Sequence, residues 1–270
     1  TDAHACSYTY DYPVSSDPAT EVTITAPSIV CVGSAVNFVG APTGGTWSSS
    51  SPARASVSAA GVVTGLTVGT TRITYTRPSG CFDTVTISIN PAIANISGTT
   101  NVCVGETITL AHPVSGGTWL SANTSIASVN PSTGIVTGVA AGTVNITYYS
   151  SEGCYKVVNI WVKGLPVAFT GNTVVCEGNM GQLYSTAGTS GTWSSSNTAI
   201  ATIGSGNGAM YGVSAGTATI TFRATATQCA VTGTVTINAT PAPITGPSTV
   251  CVGSTATLAS TTPGGVWSSG

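Results

Sequence analysis

The sequence predicts an all-β protein assembled from tandem sandwich modules arranged head to tail. Three observations predict it: an internal repeat, a composition of strand and turn formers, and evenly spaced turn signals. Val30-Cys31-Val32-Gly33-Ser34 returns as Val102-Cys103-Val104-Gly105-Glu106, Val175-Cys176-Glu177-Gly178-Asn179 and Val250-Cys251-Val252-Gly253-Ser254. The cysteines recur at intervals of 72, 73 and 75 residues (103−31, 176−103 and 251−176), and drift of this size is ordinary in repeats that tolerate loop insertions. Trp47, Trp119, Trp193 and Trp267 follow those cysteines 16, 16, 17 and 16 residues downstream, and a second cysteine, Cys81, Cys154 or Cys229, follows the first by 50, 51 and 53.

Thr, Ser, Val and Gly dominate, and only 5% of the 270 residues are charged. Helix formers such as Leu, Lys and Glu are scarce, leaving residues that favour strands and turns. A net charge of −2 provides no broad basic surface, which argues against nucleic acid and anionic membrane as partners. The apolar residues come in short stretches well under the roughly 20 that a spanning helix needs, so no membrane insertion is expected. The chain begins Thr1-Asp2-Ala3-His4 and reads as a mature segment or a window of something longer. Eight cysteines at regular spacing, with two histidines, His4 and His112, and no CxxC pair, point to disulfides in an oxidising extracellular place and away from zinc.

The second unit carries the strand reading. Ala94-Asn95-Ile96 and Asn101-Val102-Cys103 make a broken first strand, and Gly105 turns the chain into Thr107-Ile108-Thr109-Leu110, which alternates polar with apolar as a half-buried strand does. Gly116-Gly117 introduces a strand bearing Trp119. Ser125–Val129, the turn Asn130-Pro131-Ser132-Thr133-Gly134, and Ile135–Val139 follow. Ala141-Gly142 breaks the chain before Thr143–Tyr149, and Ser151-Glu152-Gly153 turns it into Cys154–Val162. Seven or so short strands punctuated by Gly, Pro and Asn fit an immunoglobulin-like sandwich. The repeat places modules at 23–92, 93–166 and 167–241, the last strand of a preceding module at 1–22, and an incomplete start of a fourth at 242–270. Partial modules at both ends suggest a window cut from a longer array. The competing idea is strand complementation between subunits, as in pili, which would leave the middle strands missing.

Trp193-Ser194-Ser195-Ser196-Asn197-Thr198-Ala199-Ile200-Ala201-Thr202-Ile203, followed by Gly212-Val213-Ser214-Ala215-Gly216-Thr217-Ala218-Thr219-Ile220-Thr221, resembles the signature of bacterial immunoglobulin-like domains of group 2. Trp119 to Thr147 repeats it, and Trp47 to Thr74 does so less closely, since Ser51-Pro52-Ala53-Arg54 departs from the usual Ser-Asn-x-x-Ile/Val. The Val-Cys-Val-Gly-Ser and Gly-Gly-Thr-Trp-Ser-Ser-Ser variant further resembles repeat arrays of Bacteroidetes surface proteins, including giant adhesins exported by type IX secretion and used in gliding. The resemblance implies a non-enzymatic cell-surface stalk or adhesive filament. Its partners would be neighbouring modules or copies of the same chain, and surface glycans or proteins.

The cysteines allow a topological argument. Cys31, Cys103 and Cys176 sit just before the turn into the second strand, whereas Cys81, Cys154 and Cys229 follow the turn into the last. In a seven-strand sandwich these turns lie at opposite ends, about 25 Å apart for strands of ordinary length, well beyond the roughly 7 Å Cα limit for a disulfide. In a head-to-tail array the two ends abut, so Cys31–Cys154 and Cys103–Cys229 would staple successive modules. Cys6, Cys81, Cys176 and Cys251 would then pair beyond the window. The alternative, Cys31–Cys81, Cys103–Cys154 and Cys176–Cys229 within modules, is the common pattern of small secreted domains, and it stands beside the staple.

The four repeated tryptophans are expected to plug the cores. Trp161, Tyr148, Tyr149 and Tyr155 make the second module the most aromatic; strand packing is expected for them, with an exposed glycan or protein contact as the alternative. The carboxylates Asp2, Asp11, Asp17, Glu21, Asp83, Glu106, Glu152 and Glu177 are scattered. No DxDxD cluster predicts a calcium cage, no facing acid pair predicts glycoside hydrolysis, and no Ser/His/Asp set predicts a hydrolase. No catalytic residue, metal or cofactor is expected. Asp83-Thr84-Val85 resembles the O-glycosylation pattern of Bacteroidetes secreted proteins, making Thr84 a candidate. Asn95-Ile96-Ser97, Asn123-Thr124-Ser125, Asn145-Ile146-Thr147 and Asn238-Ala239-Thr240 match the N-linked pattern, which Thr/Ser-rich sequence meets often.

Overall fold

The computed structural model describes residues 21–185 and 189–269. The closing strand expected over 1–22, with Cys6 and His4, lies almost wholly outside them. The first group of strands is β1 (Thr23–Thr25), β2 (Ile29–Cys31), β3 (Ala35–Asn37), β4 (Val39–Ala41), β5 (Thr46–Ser49), β6 (Ala55–Val57), β7 (Val62–Gly65), β8 (Gly69–Thr76) and β9 (Phe82–Asn90). The second is β10 (Asn101–Cys103), β11 (Thr107–Thr109), β12 (Thr118–Ser121), β13 (Ala127–Val129), β14 (Ile135–Gly138), β15 (Gly142–Tyr149) and β16 (Tyr155–Lys163). The third is β17 (Thr170–Gly171), β18 (Val174–Cys176), β19 (Met180–Tyr184), β20 (Gly191–Ser195), β21 (Ala201–Ile203), β22 (Ala209–Gly212), β23 (Gly216–Ala224) and β24 (Ala230–Asn238). The fold is all-β, in tandem immunoglobulin-like sandwiches.

Each sandwich packs two sheets, four strands against three in the first two modules and four against four in the third. The order is β2-β9-β8-β5 against β3-β7-β6, then β10-β16-β15-β12 against β11-β14-β13, then β18-β24-β23-β20 against β17-β19-β22-β21. In the sheet of each module that holds the closing strand, a short opening strand runs parallel to it: Cys31 lies beside Asn90, Cys103 beside Lys163 and Cys176 beside Asn238. Antiparallel hairpins make the rest, and the long β8–β9, β15–β16 and β23–β24 hairpins each pair eight residues, in the second module from Gly142–Val162 to Tyr149–Tyr155. The β-branched alternation of Thr143–Tyr149 explains that strand: Val144, Ile146 and Tyr148 point into the core, leaving Thr143 and Asn145 outside, as a period of two requires.

Two expected segments form no strand. Ala94-Asn95-Ile96 carries no ladder, and only the isolated bridge Ser97–Ala111 precedes β10; continuing that register would set Asn95 opposite Pro113, which lacks the donor a ladder would need. Within 242–269 the described chain has the single bridge Thr245–Ala259 and no strand, so the opening strands expected there are not formed.

The three cores repeat position by position. Ala55, Ala127 and Ala201 are fully buried, as are Ile73, Ile146 and Ile220; burying an isoleucine contributes roughly 1.5–3 kcal/mol. Trp119 and Trp193 are buried, and Trp47 is half-buried against its cluster. Each tryptophan tilts against an aromatic ring of the neighbouring long strand, Tyr75, Tyr148 or Phe222, at centroid distances of 4.6, 4.8 and 4.7 Å. Trp267 departs from the expected core role: it is 56% exposed, because no sheet forms around it to close a core.

The glycine before each Thr-Trp pair is required by that packing. A Cβ at Gly45 would lie 2.6 Å from the Tyr75 ring, and the same atom at Gly117 or Gly191 would overlap Tyr148 or Phe222. The backbone closeness lets Gly45 N and Gly117 N donate to the Tyr75 and Tyr148 hydroxyls, at 2.8 and 3.0 Å. Gly134 is a second constrained position, with φ +71 and a virtual Cβ 2.6 Å from Leu110 O and 2.9 Å from Trp119. Gly134→Ala is expected to cost about 2–3 kcal/mol through backbone strain and overlap, lowering the melting transition of the second module by ~10 °C or more. Gly116→Ala, at φ +81 with no atom within 4 Å, is expected to cost only about 1 kcal/mol. Differential scanning calorimetry of the two variants checks the ordering.

Candidate functional site: the module junctions

The repeated Val-Cys-x-Gly element is a tight turn. The residue after the glycine donates back to the cysteine carbonyl in all four copies, from Ser34, Glu106, Asn179 and Ser254, at 2.9–3.1 Å. The glycine between holds φ of +80 to +83, the pattern of a type II turn with glycine at its third position. In the first copy the Ser34 hydroxyl adds a bond to Cys31 O of 2.7 Å and accepts one from Cys31 N. The turn therefore pins its cysteine at the end of the opening strand.

A different turn holds the second cysteine. Ser150 N donates to Cys154 O and Gly153 N to Ser150 O, while the Ser150 hydroxyl accepts from Cys154 N at 3.1 Å. Arg77 and Cys81 repeat the backbone bond, and Ala224 with Cys229 repeats it one residue wider, with Gln228 at φ +62. Since Cys103 lies beside Lys163 and Cys154 just precedes Tyr155, nine residues of β16 separate the two along the strand, about 30 Å. The register of β9 and β24 gives the same offset for Cys31 and Cys81 and for Cys176 and Cys229.

Between modules the distances are short. Cys31 is bonded to Cys154 with Cα atoms 5.9 Å apart, and Cys103 to Cys229 with Cα atoms 5.7 Å apart, both within the range a disulfide spans. Cys154 and Cys229 are fully buried. Around the first bond Asn90 Nδ2 donates to Glu152 O, and the Ile29 side chain packs where a Cβ on Gly153 would stand. Around the second, Cys229 Sγ lies 3.9 Å from Lys163 O. Cys81 and Cys251 are exposed and free, Cys176 is half-buried and free, and Cys6 lies outside the described residues.

The second surface of note is the outer face of the β10-β16-β15-β12 sheet. Trp161 is 53% exposed near one end of β16, and Tyr149 and Tyr155 are exposed together at the other end, with Val157 and Leu120 exposed on the same face. This corrects the expected strand packing of Trp161, Tyr149 and Tyr155; only Tyr148 is buried. Lys163 Nζ stands over the Trp161 ring at 5.4 Å, and Asn159 Nδ2 donates to Asn145 Oδ1 at 3.0 Å. In the sibling sheets the positions matching Val157, Asn159 and Trp161 hold Thr84, Thr86 and Ser88, or Thr232, Thr234 and Thr236. His112 is half-buried, stacked on Tyr148 at 4.3 Å. Thr84 is exposed on the outer face of β9, next to Asp83, whose carboxylate accepts from Ile24 N and Thr84 N. Among the described residues no group of three or more His, Cys, Asp or Glu is placed to hold a metal, and no helix is long and apolar enough to cross a membrane.

No curated protein matches the chain in sequence. Among solved structures, surface layer protein SbsC (domains 1–6) is 16% identical, covering 85% of this chain and 42% of its own, with a TM-score of 0.26. The C-terminal 282-residue fragment of intimin, solved with the intimin-binding domain of its translocated receptor, is 17% identical over 56% of this chain and 66% of its own, at 0.35. Invasin, a bacterial integrin-binding protein, is 14% identical over 80% of this chain and 59% of its own, at 0.36. The chain thus spans less than two thirds of the length of each. The family described as Bacterial Ig-like domain (group 2) matches residues 81–159 and 178–240, more than half of the sequence, and the chain belongs to that family.

Proposed function

We propose that this chain is a segment of an extracellular, non-enzymatic stalk or filament of a bacterial surface protein, with modules at 23–92, 93–166 and 167–241 stapled head to tail. The observation that carries the reading is the pairing of Cys31 with Cys154 and of Cys103 with Cys229. A disulfide inside a module stabilises that module, whereas one across a junction restrains how two modules bend and slide. Such bonds persist in an oxidising exterior, which supports a cell-surface place. Cys6, Cys81, Cys176 and Cys251 would serve further junctions of the same kind. The finer role, in a giant adhesin of the type IX secretion and gliding kind, rests on the repeat variant alone, and an O-linked sugar on Thr84 belongs to the same reading.

A second reading is favoured by the outer face of the second module. On this face Trp161 stands beside Asn101; Asn145 and Asn159 lie along the middle of the strands, Tyr149 and Tyr155 stand at the far end, and Lys163 over one face of Trp161 is the nearby charge. Rings stack on the apolar faces of sugars while amides take their hydroxyls, so the occupant proposed is a neutral surface glycan.

Peptide mapping without reduction is expected to yield Cys31 linked to Cys154 and Cys103 linked to Cys229; a Cys31–Cys81 peptide would sink the staple. Small-angle scattering of the oxidised chain is expected to fit a rod, and reduction to broaden its distance distribution, whereas a compact globule in both states rules the stalk out. For the second reading, Trp161→Ser, which installs the residue found at Ser88, is expected to lower retention on a neutral glycan array by tenfold or more without moving the melting temperature. Unchanged retention, or none by the parent chain, removes that reading.

A further inference from the structure

We infer that the two disulfides are interleaved, so that each junction is crossed by two independent covalent paths and the array keeps its continuity and its length when one path fails. The inference rests on the stapled reading proposed for the junctions. Along the chain the bonded residues come in the order Cys31, Cys103, Cys154, Cys229, and the partners are first with third and second with fourth. The two closed loops, of separations 123 and 126, therefore overlap over the stretch from Cys103 to Cys154. Bonds confined to single modules would close three separate loops with bare linkers between them.

Two consequences follow from connectivity alone. A single backbone cut anywhere between Cys31 and Cys229 falls inside at least one loop, so the two pieces stay joined. This includes the linker 164–169, exposed at Leu165, Val167 and Ala168, which joins β16 to β17 and which the Cys103–Cys229 bond bridges. The second consequence concerns extension. The shortest covalent route from Cys31 to Cys229 runs across the first bond to Cys154, back through the second module to Cys103, and across the second bond. Only the roughly 50 residues from Cys103 to Cys154 then bear the pull, reaching about 180 Å at most, against about 700 Å for the roughly 200 residues without either bond.

The load on that route also meets the fold favourably. It enters the second module at the start of β16 and leaves at the end of β10, and these strands run parallel with Cys103 beside Lys163. Their ends are drawn in opposite directions along the strand axis. The ladder bonds, with Val104 N to Lys163 O and Trp161 N to Thr100 O beside them, are loaded together in shear. Most of the first and third modules is left out of the load path.

The test is single-molecule extension of the whole chain held at its termini, with Cys6→Ser, Cys81→Ser, Cys176→Ser and Cys251→Ser to remove stray thiols. The stretch between Cys31 and Cys229 is expected to reach ~180 Å with both bonds, ~250 Å with Cys31→Ser or Cys229→Ser alone, and ~700 Å with both. The signature is this unequal pair of steps, the second several times the first. A start near ~515 Å that neither Cys31→Ser nor Cys229→Ser changes would leave Cys103–Cys154 as the one bond formed, place the pairing within modules and overturn the stapled reading itself. A change on losing Cys31 and none on losing Cys229 would leave a staple at the first junction and overturn the interleaving. A protease site in linker 164–169 gives a second readout: the cut chain is expected to run as one species without reductant and as two with it, and Cys229→Ser is expected to release the pieces without reductant. Release from the parent chain overturns the inference.

Discussion

The parallel pairing of each module's opening strand with its closing strand is the constraint on which the remaining structure depends. It sets the end of β10 beside the end of β16, so the first cysteine, at Cys103, stands where the chain leaves the module. The second, at Cys154, stands at the start of β16, where the preceding module ends. A hairpin pairing of first and last strands would have brought the two cysteines of one module to the same end. Parallel pairing makes them strangers within the module and neighbours across the junction, and the tight Val-Cys-x-Gly turn keeps each from drifting off its strand end.

Inside a module, stability comes from a compact set of contacts. The Trp–aromatic pair closes one end of the sandwich, and a glycine beneath it allows the backbone to come within hydrogen-bonding reach of the ring hydroxyl. The third module shows which part is indispensable. Phe222 keeps the ring contact with Trp193 but has no hydroxyl, so packing is retained where the hydrogen bond is not. On the outer faces, threonine columns on β8, β9, β23 and β24 serve two needs at once: a β-branched side chain suits the pleated surface, and its hydroxyl keeps a chain with 5% charge in water.

Much of this architecture is legible in the residues themselves. The period of the cysteines marks the modules, and the alternation in Thr143–Tyr149 assigns β15 to a half-buried strand. The aromatic face of the second module is not legible from its own strand. In β16 the inward residues Val158, Ile160 and Val162 are no more apolar than the outward Tyr155, Val157 and Trp161, so the period of two loses its contrast. The signal lies in the siblings, since Thr84, Thr86 and Ser88 occupy the positions of Val157, Asn159 and Trp161. Trp267 misleads for a different reason: a motif names a position in a sandwich, and a position buries its side chain only when the facing strands are folded around it. The strand expected at Ala94–Ile96 has the right residues, but its pairing stops at the Ser97–Ala111 bridge, whose register would set Asn95 opposite Pro113, a residue with no N–H to donate.

The order in which bonds and fold arise follows from the same geometry. Before folding, Cys103 is closer in sequence to Cys81 and Cys154 than to Cys229, and loop-closure entropy alone would favour those partners. Once β16 is paired, about 30 Å of strand separates Cys103 from Cys154, and no side-chain motion closes that gap. The native pairing therefore requires modules that fold first, on cores such as Val136, Ile146 and Ile160 that no internal disulfide supports. For domains of about 70 residues this is a demanding condition. The disulfides then record an arrangement that the sandwiches have already chosen, and their stabilisation falls on the array rather than on the module.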